Sequence, residues 1–245
     1  MSLTPTGQRL LTDAQTMLAH AEEATQRLRE DQTTLSGHLR LFGTMDLGQS
    51  IVTRLVSSFL RINPKVTAEL ALTNRPLHMI QEGCDVGILP GKITDESAVA
   101  RPAGKITLHL AASPSLVKSR PAVKKPADLK SWPWIALAEG SAKEIKLFAR
   151  NGTEQTLRVS PVLISEGVRS IREAVRAGLG VAVLPDWLIR EDLLSRRLVR
   201  VLPQWNAKDL PVHVVYAGAR LLPTRVRAFI DFAVSYMTKE LGSNA

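Results

Sequence analysis

One cysteine, Cys84, stands among 245 residues, so no internal disulfide can form. With no charged-then-apolar leader at the start of the sequence, this points away from export and toward the cytoplasm. Aromatic residues make up only 4%, so a core has to be assembled mainly from Leu, Val, Ile and Ala, as where helices pack on sheets. No apolar run approaches the roughly 20 residues that cross a bilayer, which excludes a membrane-spanning helix.

Catalytic constellations are scarce too. The five histidines (His20, His38, His78, His109 and His213) are dispersed, with no pair four apart and no CxxC beside them, so no zinc site is expected. His38, His109 and His213 fall inside expected strands, where a hydrogen-bonded structural role is the default. Neither a Walker sequence nor a GxSxG elbow occurs, and no nearby histidine nominates Ser50 or Ser113 as a nucleophile. Gly178-Leu179-Gly180 precedes a strand instead of following one, which contradicts a dinucleotide fingerprint and reads as a helix C-cap. Asp46 reads as a helix N-cap and Cys84 as a small core residue. No catalytic residue, metal or cofactor is assigned, and the chain reads as a binder and not an enzyme.

What is present is globular material, 44% hydrophobic and 22% charged, with a net charge of +9. A positive field draws polyanions. The basic residues are nevertheless scattered (Arg196, Arg197 and Arg200; Arg220, Arg225 and Arg227) with no aromatic platform between them, the pattern of solvated faces.

From Thr4 to about Thr34 there is no glycine after Gly7 and no proline after Pro5, which predicts one long helix. Leu10, Ala14, Met17, Ala21, Ala24 and Leu28 recur at spacings of four and three and form one stripe, expected to meet a second chain. At Ser36-Gly37 the pattern turns to alternation. Strands are expected at His38–Phe42, Val66–Leu72 and Asp85–Leu89, with helices at Ile51–Ile62 and Leu77–Glu82 between them. That order implies a parallel sheet.

A strand through Ile106, Leu108 and Leu110 leads to Ala111-Ala112-Ser113-Pro114, where a second lobe is expected to begin. Its outline is a strand at Trp134–Leu137, a charge-bearing stretch to Leu157, and a strand at Val162–Ile164. A helix at Val168–Ala177 and strands at Val181–Leu184, Val199–Leu202 and Val212–Tyr216 follow. Pro223–Met237 closes as an amphipathic helix. The fold class is α/β.

In open α/β sheets, ligands bind beyond the carboxyl ends of parallel strands, where loops and helix N-termini converge. This nominates Thr44, Met45 and Asp46, then Thr73, Asn74 and Arg75, then Leu89 and Pro90. The second lobe adds Ser165, Glu166 and Gly167, with Leu184 and Pro185.

These landmarks resemble the LysR-type transcriptional regulators. Leu3-Thr4-Pro5-Thr6-Gly7 with Leu10-Leu11 is similar to the junction between that family's winged helix-turn-helix and its dimerising linker helix. Gly37–Leu41, Asn63–Val66, Glu82–Val86, Ala177–Pro185 and Arg225–Phe232 are similar, in order and spacing, to its regulatory-domain landmarks.

The resemblance implies two Rossmann-like lobes with mixed sheets, of the periplasmic-binding-protein type 2 kind, with a small-molecule effector in the cleft. It implies dimers or tetramers of the chain, and promoter DNA as a partner through a winged helix expected before Leu3, with Met1-Ser2 read as a leader left by trimming. The expected units are a linker helix over 1–36, a first lobe over 37–112 and 217–245, and a second lobe over 113–216. Leu89 stands where related chains often carry an arginine, and Asp46 adds negative charge where a helix N-terminus would otherwise welcome an anion, so preference for a carboxylate effector is weakened. Arg75 is the cation available to offset it. Free-standing solute-binding proteins share this fold and would be marked by a secretory leader; an enzyme on it would be marked by turnover.

Overall fold

Apolar residues spaced by two become strands, and those spaced by three and four become helices. The computed structural model describes residues 4–27, 35–75, 83–138, 143–218 and 222–242. It opens with α1 (Pro5–Arg27), β1 (Ser36–Gly43), α2 (Met45–Leu47), a π-helical turn over Gly48–Val52, α3 (Thr53–Ile62), β2 (Lys65–Leu72), β3 (Val86–Pro90) and β4 (Ala98–Ile106). Next come β5 (Leu108–Ala112), α4 (Pro114–Lys118), a 3-10 turn over Pro126–Ser131, β6 (Trp134–Leu137), β7 (Glu144–Ala149), β8 (Glu154–Arg158) and β9 (Pro161–Ser165). The remainder is α5 (Val168–Arg176), β10 (Ala182–Pro185), α6 (Asp186–Leu194), β11 (Val199–Arg200), β12 (Trp205–Ala207), β13 (Leu210–Ala217) and α7 (Thr224–Gly242).

The fold is α/β with mixed sheets. In the first, ordered β2-β1-β3-β13-β4, β1 runs parallel to β2 and β3 while β13 runs antiparallel to β3 and β4. Leu39, Ile51, Leu55 and Phe229 are buried in its core, where α3 and α7 pack. Phe59 meets Phe229 edge-on with centroids 5.1 Å apart, a geometry that adds about 0.5–1.5 kcal/mol to area burial.

The second sheet, ordered β10-β5-β12-β7-β8, carries β11 on β5. Strands β6 and β9 form a parallel pair, joined to the segment before β10 by a bridge between Trp134 and Val181. A Cβ at Gly180 would stand 2.7 Å from the Pro133 carbonyl oxygen, so glycine permits this approach. Gly178, at φ +83°, ends α5: its N–H donates to Val175 and that of Leu179 to Ala174, the helix stop expected there.

Several expectations are corrected. The strand expected through Ile106 and Leu110 is two strands in different sheets, broken at Thr107. The chain returns to the first sheet at Leu210. Both changes of sheet precede the boundaries expected at 112 and 216; at the first, apolar alternation runs on through Thr107 from Ile106 to Leu108. The charge-bearing stretch before Leu157 contains the β7–β8 hairpin, whose exposed face carries the charges. Val199–Leu202 shortens to the two residues of β11, since Leu202 takes a φ of 52°. The helix expected from Ile51 already starts at Met45. Leu28 and Leu77–Glu82 lie outside the described residues.

Candidate functional site

The carboxyl ends of β1, β2 and β3 face the second sheet across a cavity of about 310 Å³. Thr44, Asp46 and Leu47 line it from the β1–α2 junction, Asn74 from the turn after β2, and Pro90 from the end of β3. Ile106, Leu108 and Leu210 line it at the two places where the chain changes sheets. From the second lobe come Ile135, Ala136 and Leu137 of β6, Glu144 and Ile145 of β7, Glu166 and Val168 around the start of α5, and Val183, Pro185 and Trp187 around the start of α6. The walls are therefore mostly apolar.

Two side chains of the first lobe reach across. Helix α5 begins at Gly167, which has no side chain to accept its free N–H groups. Asp46 supplies the acceptors: its Oδ2 lies 2.8 Å from Val168 N and its Oδ1 3.4 Å from Arg169 N. The Arg169 Nε stands 3.8 Å from the same carboxylate, which is 14% exposed. A carboxylate on a helix N-terminus is held both by hydrogen bonds and by the positive end of the helix dipole. The expectation that Asp46 caps its own helix is thus corrected: Thr44 occupies that N-cap position, without a side-chain bond, and Asp46 caps a helix of the opposite lobe. Beside it, Asn74 Oδ1 accepts from Met45 N at 3.0 Å while its Nδ2 donates to the Glu166 carbonyl at 3.1 Å.

Of the nominated residues, Thr44, Asp46, Asn74, Pro90, Glu166 and Pro185 come together at the cavity. The others are not part of its lining. Met45 is exposed, and its sulfur accepts from Gln49. Thr73 Oγ1 accepts from Arg75 N, which shapes the turn, and Arg75 itself is exposed. Leu89 is half-buried opposite His213 in the sheet, and Leu184 is a core residue. Ser165 and Gly167 hydrogen-bond to each other at the turn before α5. Sequence reasoning missed Ile135–Leu137, Ile145, Val183 and Trp187, because strand alternation identifies buried residues without saying which sheet they will face.

His38 and His109 have the structural hydrogen bonds expected, to Thr67 Oγ1 at 2.9 Å and Asn206 Oδ1 at 3.0 Å. His213 departs from that expectation, its Nδ1 being buried with no hydrogen-bond partner. Cys84 is half-buried and not a core residue. Burial pushes the carboxyls of Asp85 and Asp186 above the ordinary carboxylate range and holds the His109 imidazole below its ordinary value. Among the described residues no three His, Cys, Asp or Glu gather to hold a metal, and no helix is long and apolar enough to cross a membrane. On α1, Leu10, Ala14 and Met17 are exposed, as are Leu11 and Leu18. Ala21 and Ala24 continue the same helix.

A family model for the LysR substrate binding domain matches residues 32–238. The HTH-type transcriptional regulator PtxR of Pseudomonas aeruginosa is 28% identical over 240 residues, covering 98% of this chain and 77% of that protein. An uncharacterised HTH-type transcriptional regulator of Escherichia coli, YhjC, is 28% identical over 244 residues, covering 98% of this chain and 81% of that protein. Among solved structures, the regulatory domain of AphB from Vibrio vulnificus superposes with a TM-score of 0.68 at 25% identity, over 82% of this chain and 98% of that one.

Proposed function

We propose, for a chain that belongs to the LysR substrate binding domain family and is the effector-binding regulatory domain of a LysR-type transcriptional regulator, that its interlobe cavity takes a small effector carrying no negative charge. The matching relatives are transcriptional regulators, so neither a free-standing solute-binding protein nor an enzyme is retained as a reading.

The observation that carries the proposal is the Asp46 carboxylate on the α5 N-terminus. That helix end is where an anionic ligand would find free N–H groups and a favourable dipole, and it already holds an anion belonging to the chain. Among the described residues no lysine or arginine lines the cavity, whereas Asp46, Glu144 and Glu166 do. A carboxylate effector would meet these carboxylates in the wall, while the cations paired with two of them, Arg169 with Asp46 and Arg158 with Glu144, lie outside the lining. An uncharged or cationic molecule with an apolar body suits the Ile135, Ile145, Val183 and Trp187 walls, and the Thr44 hydroxyl and the Asn74 amide offer it polar partners.

The first lobe is assigned to 36–106 with 210–242 and the second to 108–207, following the sheets. An effector touching both lobes changes the angle between them, and through it the engagement of promoter DNA by the full regulator in the cytoplasm. The exposed apolar residues of α1 suit pairing with a second copy of the chain. A saturation-transfer NMR screen of the chain against matched amide, amine and carboxylate fragments tests the cavity's preference. Hits confined to the uncharged and cationic members, and lost in Asn74→Ala, support it; hits drawn mainly from carboxylates refute it.

A further inference from the structure

A second cavity, of about 320 Å³, shares Trp187 with the first as a common wall. Its charge is of the opposite sign. Arg54 of α3, Arg169 and Arg172 of α5 and Arg190 of α6 line it, against two carboxylates, Glu191 of α6 and Glu240 of α7. Both lobes therefore contribute.

Two of the four guanidinium groups are satisfied within the chain. Arg54 Nη2 lies 2.5 Å from Glu240, and Arg172 Nε lies 2.5 Å from the fully buried Asp192. The other two are not so held. Arg169 Nε is buried without a hydrogen-bond acceptor, its nearest carboxylate oxygen being that of Asp46 at 3.8 Å. Arg190 is in no ion pair among the described residues, although its charge reaches Asp186. The Trp187 indole N–H is likewise buried without an acceptor. Buried donors left unpaired are costly, and such groups in a native structure ask for an acceptor. The planar fork of arginine matches phosphate and carboxylate oxygens in particular.

We propose that this cavity is a second ligand site, for a compact oxyanion of two or more charges held by Arg169 and Arg190. Such an anion supplies acceptors to the unpaired donors and opposite charge to two guanidinium groups on neighbouring helices. It also bears on the first cavity, because Trp187 lines both and Arg169 stands against the Asp46 carboxylate that caps α5. The two cavities have different ligands by charge, and the second stands whether or not the first prefers uncharged molecules.

Calorimetric titration of the chain with inorganic pyrophosphate and, separately, with citrate in about 150 mM salt tests the proposal and tells phosphate from carboxylate. One of them is expected to bind saturably with a stoichiometry of one. Arg190→Ala, at an exposed position, should weaken binding about tenfold or more, as loss of a charge-assisted contact does, and Arg190→Lys should restore only part of it. Arg61→Ala, at the far end of α3, and Thr44→Ala, in the first cavity, should leave it unchanged. Thermal melting checks that each variant folds. No saturable binding of either anion up to about 10 mM, or an Arg61→Ala effect equal to that of Arg190→Ala, overturns the proposal, the second by showing diffuse attraction to a basic chain.

Discussion

The Asp46 carboxylate lies 2.8 Å from the backbone nitrogen of Val168, a residue 122 positions further along the chain, and so caps a helix of the opposite lobe. One contact thereby does two things. It ties the lobes together at one edge of the cavity, and it fills with the chain's own charge the place where an anionic effector would dock.

Removing that cap should loosen the tie. Asp46→Ala leaves two N–H groups at the start of α5 without acceptors, and a cost of about 1–2 kcal/mol is expected. Asp46→Asn should cost less, since its amide oxygen still accepts from Val168. Chemical denaturation of the three proteins measures both, and equal stability throughout would show that the cap contributes nothing.

Thr44 and Asn74 are expected to matter for ligand and not for folding. Thr44→Ala removes a hydroxyl from the cavity wall, and Asn74→Ala removes the amide that spans from Met45 to Glu166. Each should weaken an effector found by screening, by up to about tenfold for one neutral hydrogen bond. Calorimetry giving unchanged affinity for both would remove them from the site.

Much of this frame was legible in the sequence. Alternation identified β1 and β2, short apolar runs bounded by turn residues identified β3 and β10, and helical spacing identified α5 and α7, because each rests on local pattern alone. Strand-end topology also brought six of the nominated residues to the cavity. The break at Thr107 was hidden because apolar alternation runs through it into another sheet. The β7–β8 hairpin was hidden because Glu144, Lys146, Glu154 and Arg158 give it a loop's composition. The role of Asp46 was half legible: aspartate before an apolar run signals a cap, but which helix it caps depends on how the lobes meet, and no spacing encodes that.

Stability should depend on pH through His109. Burial holds its folded pKa below the ordinary 6.5. Below pH 6.5 the unfolded chain takes up a proton that the folded chain does not, so the unfolded state binds more protons and stability falls as the pH drops through that window. The contribution is complete above it. His109→Gln keeps a partner for Asn206 without titrating, and the loss of stability between about pH 7.5 and pH 5.5 should shrink. An identical loss in the variant, read from denaturation midpoints, would assign the effect elsewhere.

Association should depend on α1. Leu10 is 70% and Met17 75% exposed on one helix, and a dimer or larger assembly is expected in solution. Leu10→Glu with Met17→Glu places charge in the seam and should shift sedimentation toward the monomer. A wild-type chain that sediments as a monomer at about 10 µM contradicts this.

The cavity's charge preference is tested most directly by calorimetry of one amide and carboxylate pair of the same carbon skeleton, on the wild-type chain and on Asp46→Asn. The wild type is expected to bind the amide and not the carboxylate, and Asp46→Asn, with the α5 N-terminus relieved of its own anion, to gain affinity for the carboxylate. Carboxylate binding by the wild type as tight as that of the amide, unchanged in Asp46→Asn, would contradict this.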